Sequence, residues 1–255
     1  MLGLLHQPKV QSADEAVVTL CDRLDNSPLF EDRSAAVLAL RGLAHDNREL
    51  VASIGLKGLL NTLVRDSFDA NAAKATLETL LVLFSTDARR RVRHKRFLSP
   101  LRRAQAESPA AQAASDISLW LTDRLLHNNE ALQTVLELAA TKSDPFTAVY
   151  ALQLVSVMTV NRPQETKRVL LEAGGVAPLV AALGSAQDMV RDEALLLVSA
   201  LAADHLEMQK LVAFEGGFDL ALQLLLEHGG VVFGGRFGED AIGLVCNLLE
   251  YNTSK

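Results

Sequence analysis

Apolar residues recur every three or four positions along most of this chain, and strict apolar–polar alternation persists nowhere. That period predicts helices throughout and an all-α protein. Cap and breaker signals place them at about 13–25, 30–45, 48–65 and 69–85, then at about 116–126 and 128–141. Further helices follow at about 144–160, 163–173, 175–184, 187–203, 205–214, 217–228 and 237–250. Prolines mark helix starts: Ser27-Pro28, Asp144-Pro145 and Asn161-Arg-Pro163 each place a capping side chain at or just before the ring.

The pattern repeats. Ala151-Leu-Gln-Leu-Val-Ser-Val157 is echoed by Ala194-Leu-Leu-Leu-Val-Ser-Ala200, and Leu171-Glu-Ala-Gly-Gly175 by Ala213-Phe-Glu-Gly-Gly217. Fainter copies are Ala241-Ile-Gly-Leu-Val-Cys246 and Leu50-Val-Ala-Ser-Ile-Gly55. Helical units repeating every ~42 residues predict an armadillo or HEAT solenoid. We read residues 1–255 as one right-handed armadillo-repeat α-solenoid of three-helix repeats, the first covering 13–25, 30–45 and 48–65. The last helix opens a repeat that is not completed. Its stripe of Ile242, Leu244, Val245, Leu248 and Leu249 has no following helix to cover it, so the chain is expected to be a fragment or to pair with another copy at that end.

With 49% hydrophobic residues and a mean hydropathy of +0.17, there is ample material for a continuous core. The net charge of −6 is unevenly spread. Arg89, Arg90, Arg91, Arg93, Lys95, Arg96, Arg102 and Arg103 lie in one stretch; without these eight, 17 basic residues face 31 acidic ones, a remainder of −14. Residues 87–115 therefore read as an irregular basic insert in an acidic scaffold. The insert is either a solvated linker or a contact for anionic lipid headgroups or an acidic partner. The acidic remainder argues against nucleic acid.

Cys21 and Cys246 both lie in apolar helical patterns and are expected to be buried free thiols in a reducing compartment. The longest apolar run, Ala194 to Ala203, is too short to span a bilayer, and Met1-Leu-Gly-Leu-Leu-His6 lacks the parts of a signal peptide. A cytosolic protein that meets membranes only peripherally is expected.

No catalytic, cofactor or metal constellation emerges. Histidines 6, 45, 94, 127, 205 and 228 never fall at the i, i+4 spacing of a helical zinc site, and no phosphate loop or nucleophile elbow occurs. Gly229-Gly-Val-Val-Phe-Gly-Gly-Arg-Phe-Gly238 follows a helix rather than a strand, so it reads as an inter-repeat loop and a weak docking candidate. On third helices of the repeats, Asn61 and Arg65, Gln133 and Glu137, and Gln223 and Glu227 fall at outward positions. They are a solvated face or, where a peptide or helix lies along the groove, its polar contacts.

Arg191-Asp-Glu-Ala-Leu-Leu-Leu-Val-Ser-Ala-Leu201, Gln209-Lys-Leu-Val-Ala-Phe-Glu215 and Asn247-Leu-Leu-Glu-Tyr-Asn-Thr-Ser254 resemble the N-terminal head of the general vesicular transport factor family. These are golgin-type tethers with an armadillo head and a coiled-coil tail. Thr19-Leu-Cys-Asp-Arg-Leu24 and Leu29-Phe-Glu-Asp-Arg-Ser-Ala-Ala-Val-Leu-Ala-Leu40 resemble the same family's first repeat. The likeness is weakest across 87–115, where the compared family member carries an acidic insert, and that family's head continues through further repeats. The resemblance implies vesicle tethering in endoplasmic reticulum-to-Golgi and intra-Golgi transport, on Golgi and vesicle membranes. It implies recruitment by a Rab-family GTPase, engagement of SNAREs and other golgins, and action as a homodimer without enzymatic activity. The rival reading is an importin- or catenin-like adaptor that binds an extended peptide. Its Trp-x-x-x-Asn signature is poorly met, since Trp120 is followed at the fourth place by Arg124.

Overall fold

The computed structural model describes residues 12–84, 116–227 and 235–250. The basic insert, most of the glycine-rich stretch and the chain ends lie outside these residues. Among the described residues the chain forms thirteen α-helices and no strand. In chain order they are α1 (Ala13–Asn26), α2 (Phe30–Ala44), α3 (Arg48–Arg65), α4 (Ala70–Phe84), α5 (Asp116–Leu126), α6 (Asn129–Ala139) and α7 (Pro145–Asn161). Then come α8 (Pro163–Glu172), α9 (Val176–Leu183), α10 (Asp188–Ala202), α11 (Leu206–Phe214), α12 (Gly217–Glu227) and α13 (Gly235–Leu249).

Packing sorts them into rows. A row of long helices runs α2, α4, α7, α10, α13, each against the next, and a row of third helices runs α1, α3, α6, α9, α12 in the same way. The short helices α5, α8 and α11 turn the chain between the two rows. This translational stacking is an armadillo solenoid, with one continuous apolar core threading every layer.

The first layer departs from the expected grouping. Each third helix leans on the long helix of the following layer: α3 on α4, α6 on α7, α9 on α10 and α12 on α13. α1 leans on α2 in the same way, so it takes the place of a third helix rather than of the first helix of a repeat. The short turn between Ala44 and Arg48 leaves no room for a middle helix, so α2 and α3 form a two-helix layer.

Helix ends follow local chemistry, with some corrections. Asp144 caps α7 by accepting from the Thr147 N–H at 3.1 Å, ahead of Pro145. By contrast, neither α2 nor α8 has a side-chain cap at its start: Leu29 and Arg162 occupy those positions, and Ser27 instead ends α1. Caps not foreseen are Ser12 in a reciprocal box with Glu15, Asp69 on the Ala72 N–H, Asn128 on Ala131 and His205 on Met208. At the opposite ends of the long row, cations reach across layers to terminal carbonyls. Arg48 Nε donates to the Leu83 carbonyl at 2.7 Å, and Lys167 Nζ to Ala203 at 2.6 Å.

The repeated Gly-Gly has two distinct causes. Gly174 and Gly216 lie at φ +66° and +85°, the left-handed region that ends a helix sharply. Gly175 and Gly217 begin the next helix in close approach: a Cβ at Gly175 would meet Leu136 Cδ1 at 2.9 Å, and one at Gly217 the Val212 carbonyl oxygen at 2.8 Å.

Several buried polar side chains are paired across the stack, although among the described residues Thr62 Oγ1 and Gln209 Oε1 are buried without a hydrogen bond. Arg33 forks Asp66 at 2.8 and 2.5 Å and donates to the Ser27 and Pro28 carbonyls, joining the start of α2 to the end of α3. Leaving either charge of such a buried pair alone costs about 3–5 kcal/mol. Between α7 and α10, the buried Glu193 carboxylate accepts from Ser156 at 3.0 Å and Gln153 at 3.4 Å. Of the last helix's stripe, Leu244 and Leu248 are buried, while Leu249 is 54% exposed. Cys21 is buried as expected, but Cys246 is exposed, because it falls on the opposite face of α13 from Leu244 and Leu248.

Two outcomes follow from these contacts. Gly217→Ala should destabilise by about 1–3 kcal/mol in urea unfolding, since a carbonyl must move to admit the methyl; an unchanged midpoint would refute the close-approach account. Burial, with Asp25 adding to it, pushes the Cys21 thiol up to about 11. At pH 8 a thiol reagent should therefore label Cys246 alone in the native protein and both cysteines once it is unfolded.

Candidate interaction surface

All six outward residues foreseen from the sequence stand exposed on the row of third helices: Asn61 and Arg65 on α3, Gln133 and Glu137 on α6, Gln223 and Glu227 on α12. Each pair is one helical turn apart, so each presents one spot on its helix. The pairs differ in how free they are. Gln133 Nε2 donates to Glu137 at 3.2 Å, and Gln223 Nε2 to Glu227 at 2.8 Å. Glu227 also accepts from Arg191 of α10 at 2.8 Å, which leaves its charge largely answered. Arg65 bends back to donate to the Leu24 carbonyl at 3.3 Å and lies 3.8 Å from Asp66. It remains exposed but also fastens α1 to α3.

Sequence periodicity missed what lies between these pairs. α9 offers only Ala177, Pro178 and Ala181 to solvent, a low stretch flanked by the polar side chains of α6 and α12. On α12, Leu222 and Leu226 are 36% and 77% exposed beside Gln223 and Glu227. Their spacing of four was a signal, but a leucine-rich helix in a solenoid reads as core by default. Helices α6, α9 and α12 together carry Glu130, Glu137, Asp219 and Glu227 and no lysine or arginine. The surface is acidic, amidic and in part apolar, which suits docking of another chain.

The short-helix row is a separate surface. Trp120 lies on α5 with the Arg124 guanidinium 5.5 Å from its ring centre, so it is not part of the third-helix row where an importin-like ladder would stand. Nearby, Arg162 forks Asp123 at 2.8 and 2.9 Å, joining α5 to the α7–α8 turn. His127 Nδ1 lies 2.6 Å from the Asp123 carbonyl oxygen, and His205 is a helix cap; both serve structure. Among the described residues no group of three or more His, Cys, Asp or Glu could hold a metal, and no helix is long and apolar enough to cross a membrane.

The Arg162 hydrogen bonds hold the Asp123 carboxyl below the usual carboxylate range. With its folded value depressed, its contribution to stability is present above about pH 4 and fades as pH falls through the folded value. Both side chains are about two-fifths exposed, so the effect should be small and salt-sensitive. Titration of Asp123 followed by NMR should show Arg162→Met raising its midpoint toward that of an ordinary carboxylate; an unmoved midpoint would remove this pair as the cause.

No protein-family profile matches the chain. It is 36% identical to the intracellular protein transport protein USO1 of Saccharomyces cerevisiae, covering 99% of this chain and 14% of that protein. It is 28% identical to the general vesicular transport factor p115 of Bos taurus over 94% of this chain and 23% of that one. The chain therefore spans a quarter or less of these relatives' length. Among solved structures, the crystal structure of Uso1-2 superposes with a TM-score of 0.81 at 34% identity, over 99% of this chain and 38% of that one. Similar in both sequence and fold, the chain is a homologue of part of the Uso1/p115 general vesicular transport factors.

Proposed function

We propose that this chain is the docking scaffold of a vesicle tether acting in endoplasmic reticulum-to-Golgi and intra-Golgi transport. The observation that carries this reading is the 36% identity to a protein named for intracellular protein transport, sustained over 99% of the chain. The layered helices supply rigidity, and the third-helix row supplies a long face for other proteins. In this reading a Rab-family GTPase recruits the protein to Golgi and vesicle membranes, where it engages SNAREs and other golgins and works as a homodimer. No chemical step is needed. Holding a vesicle near its target raises the local SNARE concentration, and fusion gains from that alone. Asn61, Gln133, Glu137 and Gln223 are the polar contacts assigned to partners on this face, with Arg65 and Glu227 also committed to internal pairs.

The test is retention of purified Rab proteins, loaded with GTP or GDP, on the immobilised chain. Selective retention of a GTP-loaded Rab is expected. The combined substitution Asn61→Ala, Gln133→Ala and Gln223→Ala should weaken it about tenfold without lowering Tm. Retention of a basic cargo-signal peptide and of no Rab would replace this reading with that of a peptide adaptor.

A further inference from the structure

We infer that Arg48 and Ser118 form a clasp that closes the solenoid across residues 85–115, so that the stacking of its layers does not depend on that segment.

Elsewhere the chain passes from a long helix to the next short helix in very few residues: Arg162 alone separates α7 from α8, and residues 203–205 separate α10 from α11. Between α4 and α5 the sequence instead runs from Phe84 to Asp116, yet α5 packs against α4 as its layer requires. Three short hydrogen bonds bring the two sides together. Arg48, at the start of α3 in the preceding layer, gives Nε to the Leu83 carbonyl at 2.7 Å and Nη2 to the Ser118 hydroxyl at 2.6 Å. The Ser118 hydroxyl in turn donates to the Phe84 carbonyl at 2.7 Å.

One hydroxyl accepting and donating at once is within the chemistry of serine, and a guanidinium is the side chain whose fixed fork can serve two acceptors. Ser118 is fully buried, so these bonds are shielded from water. They also satisfy carbonyls in the last turn of α4 that have no partner within the helix, a task that in a tightly linked layer falls to the adjoining chain. From the following layer, Asn161 Nδ2 donates to the Ser118 carbonyl at 3.3 Å and to Thr122 Oγ1 at 2.9 Å. α5 is thus held by groups from the layers before and behind it. The entropic cost of closing an intervening segment grows only logarithmically with its length. A fixed clasp can therefore tolerate segments of very different length and charge.

The experiment compares the 255-residue chain with three variants: residues 89–113 replaced by a short Gly/Ser linker, Arg48→Met, and the two combined. The linker variant should melt within about 2 °C of the parent, whereas Arg48→Met should lower Tm by roughly 4–8 °C in either background. Hydrogen exchange should quicken in the last turn of α4 and the first turn of α5, with α12 unchanged. If Arg48→Met fails to fold, Ser118→Ala takes its place with the same expected pattern. A linker variant that melts as low as Arg48→Met, or an Arg48→Met protein with unaltered Tm and exchange, would overturn the proposal.

Discussion

α7 has no solvent side through its central stretch, and the stacking of the whole molecule follows from that. Every residue from Thr147 to Thr159 is buried, because α4 and α10 flank it within the long row while α6, α8 and α5 close around it. A helix apolar on all sides is stable only inside a larger assembly. The layers are therefore interdependent: each hides its neighbour's apolar face and has its own hidden in return. Direction-specific contacts then set the register that burial alone leaves loose. The Glu193 carboxylate meets Ser156 and Gln153 at one position along α7, and Arg33 with Asp66 sets the first long helix against the end of α3. These polar groups are supported on all sides, so sliding one layer past the next would leave them unanswered at a cost of several kcal/mol.

Much of this was legible from the sequence, for a physical reason. The Gly-Gly echo at 174–175 and 216–217 marks places where backbone geometry admits no side chain, and such constraints recur wherever the same turn is built. The cap at Asp144 ahead of Pro145 was readable from local chemistry, whereas the stripe of α13 was expected to lack cover and its Leu244 and Leu248 are buried against neighbouring helices. Cys246 misled because apolar patterning does not say which face of α13 meets its neighbours, and Cys246 falls opposite Leu244 and Leu248. The role of α1 was hidden for a related reason. Helix lengths and spacing look alike for a first and a third helix, and only packing partners tell them apart.

The outward residues divide along similar lines. Periodicity could say that Asn61, Gln133 and Gln223 face away from the core, because that is a property of one helix. It could not say that Arg65 is tied to the Leu24 carbonyl or that Glu227 accepts from Arg191 of α10, because those bonds join segments distant in sequence. Nor could it foresee the shallow run of α9, whose character comes from short side chains standing between longer ones. The relation to a transport factor was visible in ordered segments of sequence, and the superposition at a TM-score of 0.81 carries that order into three dimensions.

Long helices of the row bring their carboxyl ends together, α4 and α7 meeting at Ser118 and α10 and α13 at the Asn247–Ser199 bonds, so peptide dipoles of neighbours within the row point the same way. The amino margin of the row is lined by Asp69, Asp144 and Asp188, and Arg48 and Lys167 reach the carboxyl margin. Each set neutralises the end it meets, which lets aligned dipoles lie as neighbours despite their mutual repulsion. The third helices run against the long ones, the start of α3 meeting the end of α4 at Arg48 and Leu83, so the opposed row and these counter-charges together offset the alignment that the long row would otherwise leave uncompensated.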